Sequence, residues 1–457
     1  MPSTATRAPA TAGALTPPSP RPSTDTAETR TTTPSTPQAH PAAHDGRRTG
    51  ELAGATHARD ARPPVLRINI ALFGIGLATF AMLFATQPLL PELAAAFGSR
   101  PDHVSWTVSG ATIGLAVAVL PLSLVSERIG RRRMMTIGVA VAAVLALTIP
   151  FAPSLAALTA LRVLQGAALA AIPASAVAYL SEELDKKAMV GAVGLFIAGN
   201  SVGGMSGRVL AGWISEAFGW RAALLSVALL ALVGATLYAA LLPRARNFTP
   251  TPLRPAQAVA TITGHLRNGL LLRLYGIGML LMAAFSAVYT AMAFRLTEEP
   301  FGLSAGVAGT VFVIYLVGTC SSSMTGVTVT RLGRRGALYV GIGAVTAGLL
   351  LSLSHSLTVV LLALVLITGG FFLGHAVASA AVGRTATQAR AQASALYTVT
   401  YYVGASAGGF LGALTYHTAH WEGTVAFALV ALVVAAGITL YATVRSVSAQ
   451  RVAAASH

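Results

Sequence analysis

Ser123-Leu124-Val125-Ser126-Glu127-Arg128-Ile129-Gly130-Arg131-Arg132-Arg133-Met134-Met135 lies between two long apolar runs and packs four arginines into six residues. A weaker copy stands 203 residues further on: Gly326-Val327-Thr328-Val329-Thr330-Arg331-Leu332-Gly333-Arg334-Arg335-Gly336-Ala337-Leu338. Arg331, Gly333, Arg334 and Arg335 fall on Arg128, Gly130, Arg131 and Arg132. A basic turn between apolar runs, met twice at one offset, implies a membrane protein made of two like halves. Positive charge resists translocation, so both turns belong on the cytoplasmic surface.

The rest of the chain agrees with that reading. Of 457 residues, 54% are hydrophobic and 10% charged, and the mean hydropathy is +0.68. A soluble domain carries about a quarter of its residues charged, so the class is a polytopic membrane protein. The net charge of +16 does not point to nucleic acid, because the basic residues alternate with apolar spans instead of gathering on one face. Cys320 is the one cysteine and sits in an apolar run. It makes no internal disulfide and reads as a packing residue.

Residues 1–66 are rich in Thr, Pro, Ala, Ser and Arg, too poor in large apolar groups to offset chain entropy, and are expected to be a disordered cytoplasmic tail. No short apolar stretch with a cleavage site follows the start, so a signal peptide is not expected. A span needs about 20 residues. Runs of that size are predicted at 67–89, 104–125, 134–152, 155–180, 188–213, 221–242, 270–295, 304–327, 337–354, 357–382, 392–415 and 423–444. The expected fold is therefore all-α: twelve transmembrane helices in two pseudo-symmetric six-helix bundles, 67–242 and 269–444. A proline-bearing central cytoplasmic loop at 243–268 joins them, and a cytoplasmic tail at 445–457 follows. With both termini inside, cytoplasmic segments hold 26 of the 31 Lys and Arg and outer loops hold three. Leaving out the first tail gives 18 to 3, which still sets this orientation.

Twelve spans in two halves, the basic turn in each half and the long central loop resemble the major facilitator superfamily over roughly residues 66–445. The family's turn signature has the form G-x-L-x-D-R-x-G-R-R. Arg128, Gly130, Arg131 and Arg132 match it, with Ser123 for the first glycine and Glu127 for the aspartate. The resemblance implies a conformational latch at Glu127, Arg128, Gly130, Arg131 and Arg132, with Arg331, Gly333 and Arg334 in the second copy. Arg162-Val163-Leu164-Gln165-Gly166 resembles the R-x-x-x-G signature. Gly199, Gly203, Gly204 and Gly207, ending in Arg208, resemble the glycine-rich signature of the twelve-helix drug:proton antiporter branch, without its usual proline: Asn200 follows Gly199. Glycines at that density suit a helix seam.

An arginine at mid-bilayer depth costs at least about 2.5–3.5 kcal/mol, which draws attention to Arg162 and Arg208. Arg162 is expected about 12 Å into its span, facing the interior. Arg208 is expected near the outer end, snorkelling or paired with Glu92 or Glu216. No Asp or Glu falls at the centre of a span, so the candidates for carrying a proton are His375 and Glu92. Transporters of this build place substrate near the midplane between their halves. The resemblance implies that the first, fourth, seventh and tenth spans line that cavity, giving Gln87, Arg162, Phe285, Tyr289 and His375 as candidate substrate contacts.

The function expected is secondary active transport of small organic solutes by alternating access, with proton-coupled efflux as the leading form. An uptake carrier or exchanger for organic anions or sugars is the alternative. A membrane enzyme should cluster His, Asp, Glu or Cys near a membrane face, a channel should show a filter or charged ring, and ATP drive should show a Gly-Lys-Ser/Thr loop. None of these is in the sequence. The expected partners are a small-molecule substrate, the bilayer of the plasma membrane and, for the coupled form, protons. No nucleic acid, cofactor or metal is expected, and the chain is read as a monomer.

Overall fold

A computed structural model of the chain describes residues 65–250 and 255–455. The tail expected at 1–66 falls outside the described residues except for its last two, which already belong to the first helix. Among the described residues fourteen α-helices follow: α1 Val65–Leu83, α2 Leu90–Phe97, α3 Pro101–Ile129, α4 Arg131–Thr148, α5 Leu155–Leu169, α6 Ala171–Glu183, α7 Lys186–Leu241, α8 Pro255–Arg267, α9 Gly269–Thr297, α10 Ala305–Thr310, α11 Tyr315–Ser323, α12 Thr325–Leu351, α13 Leu357–Thr385 and α14 Arg390–Ala455. The last helix runs on through the stretch expected to be a tail, and the loop expected at 243–268 contains α8. Among the described residues, nine helical stretches are long and apolar enough to cross a membrane. Two of them, of 55 and 52 residues, would extend roughly 80 Å each if straight, far beyond a bilayer core of about 30 Å. Both are broken: α7 at Gly219 (φ 80°) and α14 at Ala419–His420.

The basic turns have one backbone form. Gly130 has φ 101° and ψ 140°, and Gly333, 203 residues on, has φ 69° and ψ 170°. A side chain at either would be strained, which is why each copy of the turn carries glycine there.

A second repeat packs each half. In α7, a Cβ added at Gly199, Gly203 or Gly207 would lie 2.4 Å from the Phe73 carbonyl oxygen, 2.2 Å from that of Leu77 and 2.8 Å from Ala81 Cα. In α14, Gly404, Gly408 and Gly412 stand as close to Met279, Ala283 and Ala287 of α9. Residues four apart share a helix face, so each set is a stripe along which two backbones touch. The glycine segment expected as a seam is thus placed inside the first half, between α7 and α1.

The halves meet at the ends of the helices remote from the basic turns, called here the far end. Ser109 Oγ donates to the Ser406 carbonyl at 3.0 Å, and Ser406 Oγ donates back to the Ser109 carbonyl at 2.9 Å. Trp213 Nε1 donates to Thr310 Oγ1 at 3.0 Å, and the Gly306 amide donates to Glu216 Oε2 at 2.9 Å. Gly212 lies against the Ala305 carbonyl and Gly309. Outward faces carry large exposed apolar side chains such as Val117, Phe151, Val233 and Val433, a surface suited to lipid and not to water.

Candidate functional site

Gln87-Pro88 interrupts the first membrane stretch. Proline has no N–H and disfavours helix in the residue before it, so α1 stops at Leu83 and a short 3-10 turn, Gln87–Leu89, leads into α2. Two consequences follow. Carbonyls at the end of α1 lose their helical partners, and the side chain of Gln87 turns into the space between the halves.

Arg162 takes the freed carbonyls. Its Nη1 donates to the Met82 carbonyl at 2.7 Å, its Nη2 to that of Leu83, its Nε to the Thr107 carbonyl at 2.9 Å, and Nη1 also to Gln165 Oε1. Gln165 in turn donates to the Ala142 carbonyl at 3.2 Å. Gly166 brings α5 onto α3, with an added Cβ falling against the Ala111 carbonyl. The R-x-x-x-G segment therefore ties α1, α3 and α5 within the first half. Arg162 is 1% exposed and does not line the central cavity, which corrects its expected place among the substrate contacts. Arg162→Ala removes the donor to the Leu83 carbonyl and a second donor from the carbonyls of Met82, which also accepts from the Ala85 amide at 3.4 Å, and of Thr107 inside α3; a buried carbonyl left unpaired costs about 1–3 kcal/mol. The substitution is expected to lower folded yield and the unfolding temperature in detergent, with Arg162→Lys failing to rescue because an ammonium lacks the planar fork.

The central cavity, about 360 Å³, is walled by α1, α6, α7, α9, α11, α13 and α14. Of the sequence-predicted contacts, Gln87, Phe285, Tyr289 and His375 line it. Arg208 lines it too, in place of the expected pairing with Glu92 or Glu216. It is 2% exposed. Its Nε donates to Gln87 Oε1 at 2.7 Å and its Nη1 to the Gly204 carbonyl at 2.5 Å. The guanidinium carbon sits 4.3 Å from the Phe84 ring centroid, 4.8 Å from Tyr315 and 5.0 Å from Phe312. Among the described residues no carboxylate lies within ion-pair reach of Arg208, and none lines the cavity. A buried cation held by rings and one amide is attracted to a negative charge from outside.

Opposite it stands an aromatic wall. Phe285 stacks on Phe371 at 4.0 Å, and Tyr289, 4.8 Å from Phe285, shares a 2.6 Å hydrogen bond with Thr368. His375 Nδ1 lies 3.0 Å from the Tyr397 hydroxyl, and its ring lies 4.7 Å from that of Tyr401. Asn200, Tyr397, Tyr401 and Tyr402 are liners the sequence reading missed. They sit on α7 and α14, whereas the family resemblance pointed to the first, fourth, seventh and tenth spans. The signal was present in Tyr397-x-x-x-Tyr401 and in the G-x-x-x-G-G-x-x-G pattern of Gly199–Gly207, repeated at Gly404–Gly412.

The remaining candidates lie elsewhere. Glu92 accepts from Ser215 Oγ, and from the Trp220 amide at 2.8 Å, closing the far-end turn where Gly219 breaks α7. Arg131 donates to Glu182 at 3.0 Å and Ser126 at 2.9 Å, both in its own half. Arg128, Arg331, Gly333 and Arg334 are exposed, and Glu127 and Arg132 are half-buried. Gly204 faces the cavity beside Arg208.

These features define a multi-pass helical membrane protein with a polar-tipped aromatic cavity between two like halves. The family model described as Major Facilitator Superfamily matches residues 72–298 and 274–456. The uncharacterized MFS-type transporter YybF of Bacillus subtilis (strain 168) is 37% identical over 386 residues, covering 84% of this chain and 96% of that protein. The inner membrane transport protein YnfM of Escherichia coli (strain K12) is 37% identical over 373 residues, covering 82% and 89%. The crystal structure of a bacterial homologue of the human lysosomal transporter Spinster has the same fold, with a TM-score of 0.67 at 14% identity over 84% of this chain and 97% of that one. The chain belongs to the major facilitator superfamily and is a membrane transporter of small molecules, not an enzyme.

Proposed function

We propose that the protein is an alternating-access carrier, acting as a monomer in the plasma membrane, for small organic anions with a planar apolar body. The observation that carries this reading is Arg208: a buried guanidinium in a cavity of stacked rings, with no carboxylate against it among the described residues. An anionic group would pair with Arg208 while its body stacks on Phe285 and Phe371. A cation would meet like charge there, which disfavours the cationic substrates of many exporters.

Twelve spans fit the helices if α7 and α14 are each cut at their breaks and α12 at Gly333. The two basic turns then share one side, taken as cytoplasmic together with both termini by the excess of Lys and Arg. The far-end seams would make this an inward-open state. Support for the export reading came from the glycine-rich segment. Its glycines pack α7 on α1, and the matching set in α14 packs on α9, so the segment speaks to packing and not to direction. For coupling, His375 is favoured over Glu92, because it lines the cavity and Glu92 is spent on the far-end turn.

The test is flux across proteoliposomes under an imposed pH gradient, comparing an aromatic carboxylate, a cationic dye and a sugar. Transport of the carboxylate alone is expected; transport of the dye or sugar in its place would overturn the reading. His375→Gln is expected to flatten the pH dependence of that flux, and an unchanged profile would remove the imidazole from coupling.

A further inference from the structure

The two halves neutralise their basic turns differently. In the first half Arg131 pairs with Glu182. The chain after α7 folds back over the same end: Tyr179 donates to the Pro243 carbonyl at 3.1 Å, and Glu183 accepts from the Arg246 and Asn247 amides at 2.7 and 2.9 Å. In the second half the same 203-residue offset puts Arg334 on Arg131 but Thr385 on Glu182. A hydroxyl cannot neutralise a guanidinium. The shortage is general. From residue 269 onward the only acidic residues are Glu298, Glu299 and Glu422; Glu298 and Glu299 follow the far end of α9, and Glu422 lies beside the break in α14. The first half, by contrast, has Glu127, Glu182, Glu183 and Asp185 at its basic end.

Arg334 and Thr385 both line a groove of about 700 Å³ between α9, α12, α13 and α14, together with Arg273 and Arg335. Leu274, Ile277, Leu338 and Val377 give it an apolar wall. That wall reaches the protein's surface through Leu270 and Leu332, 46% and 54% exposed. A soluble anion would use the arginines and leave the leucines wet. A phospholipid uses both.

We propose that this groove binds an anionic phospholipid of the leaflet at the basic end. Its phosphate stands where Glu182 stands in the first half, against Arg334 with Arg273 beside it, and an acyl chain lies along the leucine wall. The site is separate from the central cavity and does not depend on which solute is carried.

The test uses the purified full chain, delipidated in detergent, with short-chain phosphatidylglycerol, phosphatidylcholine and inorganic phosphate as probes and the unfolding temperature as readout. Phosphatidylglycerol is expected to raise that temperature, and the other two are not. Arg334→Gln should weaken the apparent affinity roughly five-fold, the effect of one basic contact near the membrane surface. Thr385→Glu, which supplies the missing carboxylate, should abolish the response. An equal response to phosphatidylcholine would overturn the proposal, and so would an equal response to phosphate, which would make the ligand a free anion. An undiminished phosphatidylglycerol response in Thr385→Glu would do the same. If Thr385→Glu does not fold, the affinity of Arg334→Gln decides alone, and no change there sinks the idea.

Discussion

Arg208→Ala is expected to reduce carboxylate flux into proteoliposomes about 10- to 150-fold while the protein still inserts and purifies as wild type. The range is that of one charge-assisted hydrogen bond to a substrate anion, about 1.5–3 kcal/mol, expressed as a rate ratio. Arg208 differs from Arg162 in what its loss leaves behind. Arg162 ties the end of α1 to α3 through the Met82, Leu83 and Thr107 carbonyls, so its removal costs stability. Arg208 donates to the Gly204 carbonyl in its own helix and to a glutamine side chain that can turn to the cavity. The decisive comparison is between a carboxylate and its neutral amide. A cavity arginine that recognises charge loses discrimination on truncation, so the carboxylate slows and the amide does not. Arg208→Lys keeps the charge without the fork and should recover part of the flux. Equal loss for acid and amide would show that Arg208 only holds Gln87 and the rings around it.

The sequence spoke clearly where one helix face, one turn or one bulk property decides the structure. Gly130 and Gly333 sit at positive φ in turns of one form, and the arginine repeat announced both. Composition alone fixed the membrane class. The site was legible in part. Gln87, Phe285, Tyr289 and His375 line the cavity, because a proline break, an i, i+4 aromatic pair and a lone imidazole each stand out in an apolar span. The two arginines exchanged roles, since depth along a helix does not give its rotation. Arg162 and Arg208 are both deep, and only packing decides that one turns toward the end of α1 and the other toward the aromatic wall. Glu92 was visible as an acid beside Gln87-Pro88. Its partners, Ser215 and the Trp220 amide, lie more than 120 residues away across a turn formed at Gly219, beyond the reach of local pattern.

Gly203→Val and Gly408→Val are expected to have the largest effect on the fold itself. At each position a Cβ would fall 2.2 or 2.1 Å from a carbonyl oxygen of the neighbouring helix, Leu77 or Ala283. The obstacle is backbone, which cannot swing aside as a side chain does. The helices must part by roughly 1 Å along a stripe of three glycines, and overpacking of this kind costs about 1–3 kcal/mol or more. In a bilayer, where helix association rests on close van der Waals contact and not on apolar burial, little offsets that loss. Both variants should give a sharply lower yield of folded protein and a lower unfolding temperature. Gly191 and Gly194 provide the control, because they lie in the same helix as Gly203 and an added Cβ meets nothing within 4 Å. Gly191→Ala should be neutral or stabilising, by up to about 1 kcal/mol from helix propensity alone. The pair also separates two readings of the glycine-rich segment. If its glycines serve contact between α1 and α7, Gly203→Val fails at folding and Gly408→Val fails in the same way in the other half. If they serve motion, Gly203→Val folds normally and stalls in transport, and Gly408→Val need not resemble it.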